Sequence, residues 1–136
     1  MNKNFIKNGL IAAATMNIAG VIIFSRAFTN SAIDNADPLV MSNFGLVIIV
    51  IWGLAYLSAT TITSNIKWLI GVFALEKLVY ILVWIMWLSE NSVAQLYSKD
   101  FFAGVFYSIY GINDLVFMLF FVRVFLFLHI SRHRAQ

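Results

Sequence analysis

Apolar residues occur in four long blocks separated by short polar segments. The blocks cover about residues 9–28, 39–59, 68–88 and 101–128. A hydrocarbon core of about 30 Å is crossed by roughly 20 helical residues at 1.5 Å each, so every block is long enough to span a bilayer. The blocks are too long for barrel strands, and apolar and polar positions do not alternate in them. The pattern predicts an all-α integral membrane four-helix bundle, up-down-up-down, formed as a single domain by residues 1–136.

The polar segments between the blocks predict three short connectors, at residues 29–38, 60–67 and 89–100. The first contains the only proline of the chain, together with Asn, Asp and Ser residues, which favour turns. Spans one and three run in the same direction but share no residue pattern, so the sequence does not favour an inverted-repeat transporter.

Composition supports a membrane protein and excludes several kinds of chemistry. Apolar side chains make up 62% of the chain and charged ones 11%, which leaves too few polar groups to cover a soluble domain. The mean hydropathy is +0.88. The chain has no cysteine, so disulfides, thiolate nucleophiles and cysteine-based metal sites are excluded.

The charged residues outside the blocks separate by sign, and this predicts an orientation. One side carries Lys3, Lys7, Lys67, Arg132 and Arg134, with no acidic residue beside them. The other side carries Asp34, Asp37, Glu90 and Asp100, with Arg26 and Lys99. Cytoplasmic loops are enriched in Lys and Arg, so we expect a multi-pass protein of the bacterial inner (plasma) membrane with both termini in the cytoplasm. The basic residues follow membrane topology, so no nucleic-acid partner is expected.

Two features near the ends of the spans leave alternatives open. Trp68, Trp84 and Trp87 lie at the two ends of span three and fit interfacial anchoring, or else packing within the bundle. The sequence Ser25-Arg26-Ala27 places small residues as at a signal-peptidase site, and cleavage there would leave three spans.

Five polar residues are expected to share one layer near the middle of the membrane. They are Asn17, Glu76, Lys77, Asn113 and Asp114. Ionisable groups at this depth cost several kcal/mol unless they are paired or hydrated. Neighbouring helical positions diverge by about 100°, so we expect Lys77 to pair with Asp114 rather than with Glu76. Glu76 is then either protonated or hydrogen-bonded to Asn17, Asn113 or Tyr80.

Aromatic residues accompany these polar positions. Phe73 and Tyr80 share a helical face with Glu76, and a second face is formed by Tyr107, Tyr110, Asp114, Phe117 and Phe121. A carboxylate among aromatic rings suits a hydrophobic cation. The predicted ligand site comprises Glu76, Asp114, Lys77, Asn17, Tyr80, Tyr110 and Asn113. The alternative is a structural polar network that only sets the helix register.

No motif in the chain predicts a metal, a cofactor or a hydrolase site. His129 and His133 are four residues apart but lack a third ligand nearby, and Asp34, Asn35 and Asp37 lack the glycine and glutamate of a calcium loop.

We therefore expect a non-enzymatic protein that binds or transports a small hydrophobic or cationic ligand. The alternatives are a structural or accessory membrane subunit, and an enzyme on a lipid-soluble substrate with Glu76 or Asp114 as acid or base. Expected partners are membrane lipids, a second copy or a larger membrane protein.

Overall fold

The protein is all-helical over the part that its computed structural model describes, which is the backbone of residues 1–133 and the side chains of residues 1–130. The helices are α1 (Lys3–Phe24), α2 (Ser31–Ala36), α3 (Asn43–Ala59), α4 (Lys67–Glu90), α5 (Val93–Lys99) and α6 (Phe101–His133). Three of them, α1, α4 and α6, are long and apolar enough to cross a membrane. The all-α prediction is therefore confirmed.

The second predicted span is shorter in the structure than in the sequence pattern. Helix α3 begins only at Asn43, because Ser42 forms its cap and accepts a hydrogen bond from the N–H of Gly45 at 3.2 Å. Before it, the carboxylate of Asp37 accepts from the N–H of Val40 at 3.0 Å and holds residues 38–42 in a non-helical turn. The 17 residues of α3 are apolar and extend about 25 Å, somewhat less than a bilayer core.

The first span also ends earlier than predicted, at Phe24 rather than at residue 28. Arg26, Ala27 and Phe28 have φ angles of 50°, 54° and 68°, a left-handed conformation that side chains with a Cβ disfavour. The Ser25 hydroxyl accepts a hydrogen bond from the N–H of Phe28 at 2.9 Å. This turn redirects the chain into α2.

Two of the predicted connectors contain short helices of their own. Helix α2 is capped by Asn30, which accepts from the N–H of Ala32 at 3.1 Å, and α5 is capped by Ser92, which accepts from the N–H of Gln95. The turn-forming residues that predicted loops are thus acting as helix caps.

Helix α4 packs most extensively on α6, α1 packs on α3, and α1 also contacts α6. The buried apolar residues form two clusters, one around Leu10, Tyr56 and Phe73, and the other around Val21, Met41 and Tyr107. In α1, Asn17 lies between the members of the two clusters, and so do Glu76 and Lys77 in α4 and Asp114 in α6. A polar layer therefore separates two apolar cores.

The two ends of the helices differ in charge, as the sequence pattern predicts. At what we call the lysine end, Lys3 and Lys7 line a pocket with residues of the α3–α4 connector, and the Nζ of Lys67 lies 3.2 Å from Nδ1 of His129. At the opposite aspartate end, Arg26 forms an ion pair with Asp100. The side chains of Arg132 and His133 and the whole of Arg134 lie outside the described residues.

The tryptophans divide between the two roles considered for them. Trp68 is 70% exposed at the lysine end, as expected of an interfacial anchor. Trp87 is buried and donates from Nε1 to the backbone oxygen of Ala36 at 2.8 Å, and Trp84 donates to the backbone oxygen of Tyr107 at 2.7 Å. For Trp84 and Trp87 these contacts favour the alternative of packing within the bundle over interfacial anchoring.

Candidate functional site

Lys77 is the centre of the polar layer and connects several helices. Its Nζ lies 2.7 Å from Oδ1 of Asp114 on α6 and donates to Oδ1 of Asn17 on α1 at 2.9 Å. The amide nitrogen of Asn17 donates in turn to the backbone oxygen of Ile49 on α3 at 3.1 Å. The pairing of Lys77 with Asp114, expected from helix geometry, is present. One lysine thereby ties α1, α3, α4 and α6 together.

Glu76 points to a different neighbour from Lys77, because the two residues are adjacent on α4. The hydroxyl of Tyr56 on α3 donates a short hydrogen bond to Oε2 of Glu76. The sequence left two alternatives for Glu76: a protonated carboxyl group, or a hydrogen bond to Asn17, Asn113 or Tyr80. The structure shows Tyr56 as the partner instead of those three residues, and the protonated form stays a prediction.

Side-chain direction explains why depth counting overlooked Tyr56. Its backbone lies only three residues from the end of α3, well away from the middle of the helix. Helical side chains lean toward the N-terminus of their own helix. Helix α3 begins at the aspartate end and α4 begins at the lysine end, so the side chains of Tyr56 and Glu76 lean toward each other. A depth estimate that included this lean would have placed their polar atoms at a similar level, but not shown that α3 and α4 turn these two side chains toward each other.

The ring of Tyr56 is held rigidly in the apolar core. It is fully buried, and its centroid lies 4.7 Å from that of Phe73 and 5.3 Å from that of Phe121. The Nζ of Lys77 lies 5.5 Å from the same centroid, within the range of a cation–π contact. The hydroxyl that bonds Glu76 is therefore fixed by packing as well as by charge.

Two buried oxygen atoms of the layer lack a hydrogen-bond partner within the described residues. They are Oε1 of Glu76 and the hydroxyl of Tyr110. The nearest cation to Oε1 is Nζ of Lys77 at 3.9 Å, beyond hydrogen-bonding distance. Buried polar atoms are nearly always bonded, so each of these two atoms marks a position where a proton, a water molecule or a ligand can be held.

Charge accounting supports the same conclusion. The layer holds one ammonium, on Lys77, and two carboxyl groups, on Glu76 and Asp114. Arg123 is exposed and lies about 13 Å further along α6 at 1.5 Å per residue. With both carboxyl groups ionised the layer carries one excess negative charge, which is costly because all three side chains are buried. One proton or one monovalent cation would neutralise it.

A cavity of about 50 Å³ adjoins the Asp114 side of the layer. Its polar lining is formed by Asn17, Tyr80, Tyr110, Asn113 and Asp114. The amide of Asn113 donates to Oδ1 of Asp114 at 3.2 Å. An ordered water needs roughly 10–15 Å³ of such space, so the cavity accommodates a few waters or a small polar group. All seven residues of the predicted ligand site therefore bond within the layer or line this cavity.

A wider crevice lies on the other side, between α3 and α4. Its volume is about 420 Å³, and its lining is formed by Val40, Trp52, Val72, Leu75, Glu76, Val79, Tyr80 and Val83. Val72, Leu75 and Val79 are about half exposed, so the crevice opens sideways onto the apolar outer surface. Tyr80 lines both spaces, the crevice and the small cavity. The sequence prediction included Glu76 and Tyr80 but not Trp52.

Within the described residues, no group of three or more His, Asp or Glu side chains is arranged to hold a metal ion. The chain matches no protein-family model, no curated protein and no solved structure. The polar layer and its two adjoining spaces are therefore the features of the molecule that bear on its function.

Proposed function

We propose that the chain is a four-helix integral membrane protein of the inner (plasma) membrane that binds or transports a small hydrophobic or cationic ligand at the polar layer. Both termini lie in the cytoplasm, and the role is not enzymatic. The observation that carries the proposal is the buried carboxyl group of Glu76: its Oε1 has no hydrogen-bond partner among the described residues, and the residue lines a crevice that opens onto the apolar surface.

The membrane assignment is supported by the exposed surface as well as by the three long helices. Leu54, Leu75, Val116 and Leu119 are about half exposed on α3, α4 and α6, where lipid tails would cover them. Helix α3 completes the bundle as the fourth span, and a bilayer accommodates a slightly short span by local thinning. The uncompensated lysines at one end favour a cytoplasmic position for that end.

The absence of cysteine makes the orientation directly testable. Single cysteines are introduced at Ser64 in the α3–α4 connector and at Asn35 in α2, which lie at opposite ends. In intact cells a membrane-impermeant maleimide should label the cysteine at position 35 and not the one at position 64. Labelling in the reverse pattern, or labelling of both, would contradict the proposed topology.

The crevice has the features of a site for an amphiphilic cation. Its walls are apolar, Trp52 and Tyr80 supply aromatic rings, and Glu76 supplies an anionic group at its inner side. A ligand dissolved in the bilayer would enter the crevice from the side without crossing the protein core, and Oε1 of Glu76, which is buried, would have to turn toward the crevice to contact it. The ligand cation would balance the excess negative charge that the layer carries when both carboxyl groups are ionised.

Binding should compete with protons, because a proton at Glu76 neutralises the same charge. The groups around its carboxylate are Tyr56 on α3, Lys77 on α4 and Asp114 on α6. Lys77 already pairs with Asp114 at 2.7 Å, so Glu76 is the carboxyl group whose charge a ligand would meet. Affinity for a cation should therefore fall as the pH is lowered.

The test uses tetraphenylphosphonium as a hydrophobic cation and the purified protein in nanodiscs. Glu76→Gln should abolish pH-dependent binding, while the helical content remains close to that of the unchanged protein. The matched control is Glu90→Gln, which removes an exposed carboxylate at the end of the same helix. If binding by Glu76→Gln keeps its affinity and its pH dependence, the proposed site is wrong.

A structural or accessory subunit is the second candidate, and the bonding of Lys77 favours it. Both hydrogen bonds of Lys77 join α4 to another helix, which is what a purely register-setting network requires. In that case Glu76→Gln would alter stability, and neither form would bind the cation. The same experiment therefore separates the two candidates.

A further inference from the structure

A pocket at the lysine end is distinct from the polar layer and differs from it in charge. Its volume is about 270 Å³. Its polar lining comes from Lys3, Asn4 and Lys7 at the start of α1 and from Thr60, Thr63 and Ser64 in the α3–α4 connector. Apolar side chains, among them Ile6, Ile62 and Leu128, complete the wall.

The two lysines of this pocket have no counter-ion among the residues that the structure describes. Neither forms an ion pair in the described part of the chain, whereas Lys67 nearby is buried against His129 and the rings of Trp68 and Phe125. Lys3 and Lys7 are four residues apart, so they lie on one face of α1 and repel each other. Every Asp and Glu of the chain lies between residues 34 and 114, and none lines the pocket.

The connector adds hydrogen-bond donors without charge. The hydroxyls of Thr60 and Thr61 donate hydrogen bonds to the backbone oxygens of Leu57 and Ser58. Among the hydrogen bonds of the described residues, none involves the hydroxyl of Thr63 or that of Ser64. Two ammonium groups and two available hydroxyls on one pocket form a donor set that suits phosphate oxygens.

The apolar side of the pocket favours a lipid as the source of the phosphate. Ile62 is 42% exposed, and Ile6, Leu10 and Leu128 continue the apolar wall of the pocket. A phosphate in the pocket would thus have its acyl chains beside the protein rather than in water. A free inorganic phosphate would make no use of this apolar wall.

We infer that this pocket binds the headgroup of an anionic phospholipid, with its phosphate between Lys3 and Lys7 and within reach of the connector hydroxyls. The inference relies on the proposed membrane location but not on the ligand site at Glu76. Such basic pockets at the cytoplasmic ends of helices are suited to phosphatidylglycerol-type and cardiolipin-type headgroups.

The test is native mass spectrometry of the full chain in detergent, titrated with phosphatidylglycerol and, separately, with phosphatidylcholine. The unchanged protein should retain phosphatidylglycerol preferentially. Lys7→Gln should lower that affinity about fivefold, the effect of one lysine near an anionic surface. The matched control is Lys99→Gln, which removes one exposed lysine at the aspartate end and should leave lipid retention unchanged.

A charge-neutral variant separates a built pocket from general attraction between lysines and anionic lipid. Thr63→Val removes a hydroxyl and keeps the charge, and it should also weaken phosphatidylglycerol retention. Equal losses in Lys7→Gln and Lys99→Gln, with none in Thr63→Val, would overturn the inference. Competition by inorganic phosphate at the concentrations where the lipid binds would also overturn it, since the site would then recognise phosphate without the lipid.

The outcome is independent of the cation experiment. If Glu76→Gln retains its cation binding while phosphatidylglycerol retention depends on Lys7 and Thr63, the proposed function fails and the lipid site stands. If lipid retention is unchanged by substitution of Lys7 or Thr63 while Glu76 controls cation binding, the lipid site fails and the proposed function stands.

Discussion

Two ion pairs of nearly equal length have very different surroundings in this protein. The Nζ of Lys77 lies 2.7 Å from Asp114, and their side chains are 1% and 8% exposed. An Nη of Arg26 lies 2.9 Å from Asp100, and their side chains are 50% and 13% exposed. Distance alone would rank the pairs as equals. Burial decides how much each pair matters for stability, because only in the first pair does removing one partner leave an unpaired charge in the apolar interior.

The pairs also differ in what their carboxylates do besides pairing. Asp114 accepts from Lys77 and Asn113, all within the polar layer. Asp100 accepts from the N–H of Ala103 at 2.8 Å, which caps α6, and from Asn30 at 2.8 Å. The stability of the aspartate end therefore depends mainly on helix capping by Asp100, and the ion pair with Arg26 adds little to it. The polar layer depends on its charge balance.

The largest expected effect is that of Lys77→Leu. It leaves Asp114 and Glu76 buried without a cation, so the free energy of unfolding should fall by about 3–5 kcal/mol. The double change Lys77→Leu with Asp114→Leu should recover much of this loss, since it removes both members of the pair. Unfolding by sodium dodecyl sulfate in mixed micelles, followed by circular dichroism, measures both values. If the double variant is as unstable as the single one, the pair is not the stabilising unit.

A smaller effect is expected at Gly53, which maintains the close approach of α1 and α3 beside Asn17. A Cβ at this position would lie 2.7 Å from Cγ1 of Ile18 and 3.2 Å from the backbone oxygen of Ala14. Gly53→Ala should therefore destabilise the protein by about 1–3 kcal/mol and weaken the bond between Asn17 and Lys77.

Gly20 is the matched control for this change, since a Cβ there meets no atom within 4 Å. Gly20→Ala should be neutral, or stabilising by up to about 1 kcal/mol through its higher helix propensity. Equal destabilisation by the two substitutions would show that the polar layer does not depend on this contact.

At the aspartate end the effects are smaller and depend on pH. The N–H of Ala103, and then Asn30 and Arg26, hold the pKa of Asp100 below its usual range. A carboxyl group whose pKa is lower in the folded protein stabilises it above the unfolded value of about 4, and this stability is lost as the pH falls through the folded value. Asp100→Asn should therefore lose less stability than the unchanged protein as the pH is lowered.

The same position separates capping from charge at neutral pH. Asparagine caps a helix about as well as aspartate, so Asp100→Asn should be mild, while Asp100→Ala should cost about 1 kcal/mol. Denaturation curves recorded from neutral to acidic pH give both comparisons. A difference curve between the unchanged protein and Asp100→Asn that does not vary with pH would contradict the role of this carboxylate.

The smallest effect is expected for Arg26→Ala. The arginine side chain is half exposed and also lies over the ring of Phe102 at 4.9 Å, so its removal should cost between 0 and about 1 kcal/mol. High salt should reduce the difference further through screening. A loss comparable to that of Lys77→Leu would end the contrast between the two pairs.

The periodic features of this protein were predictable from the sequence, and the irregular ones were not. The long apolar blocks predicted α1, α4 and α6, because helix formation over such lengths depends on local composition. The left-handed turn at Arg26 to Phe28 was not predictable, since none of these residues favours positive φ. The shortened start of α3 depends on Asp37 and Ser42, whose side chains compete with the helix for backbone N–H groups.

The polar layer shows the same division at the level of single residues. That Asn17, Glu76, Lys77 and Asp114 share one layer follows from counting residues along the apolar blocks, and the pairing of Lys77 with Asp114 follows from the angle between adjacent helical positions. The sequence by itself therefore determined which charges lie together. Only the tertiary structure decided that Tyr56 bonds Glu76 and that the crevice beside them is open, because both depend on how neighbouring helices lean and pack, which no local pattern encodes.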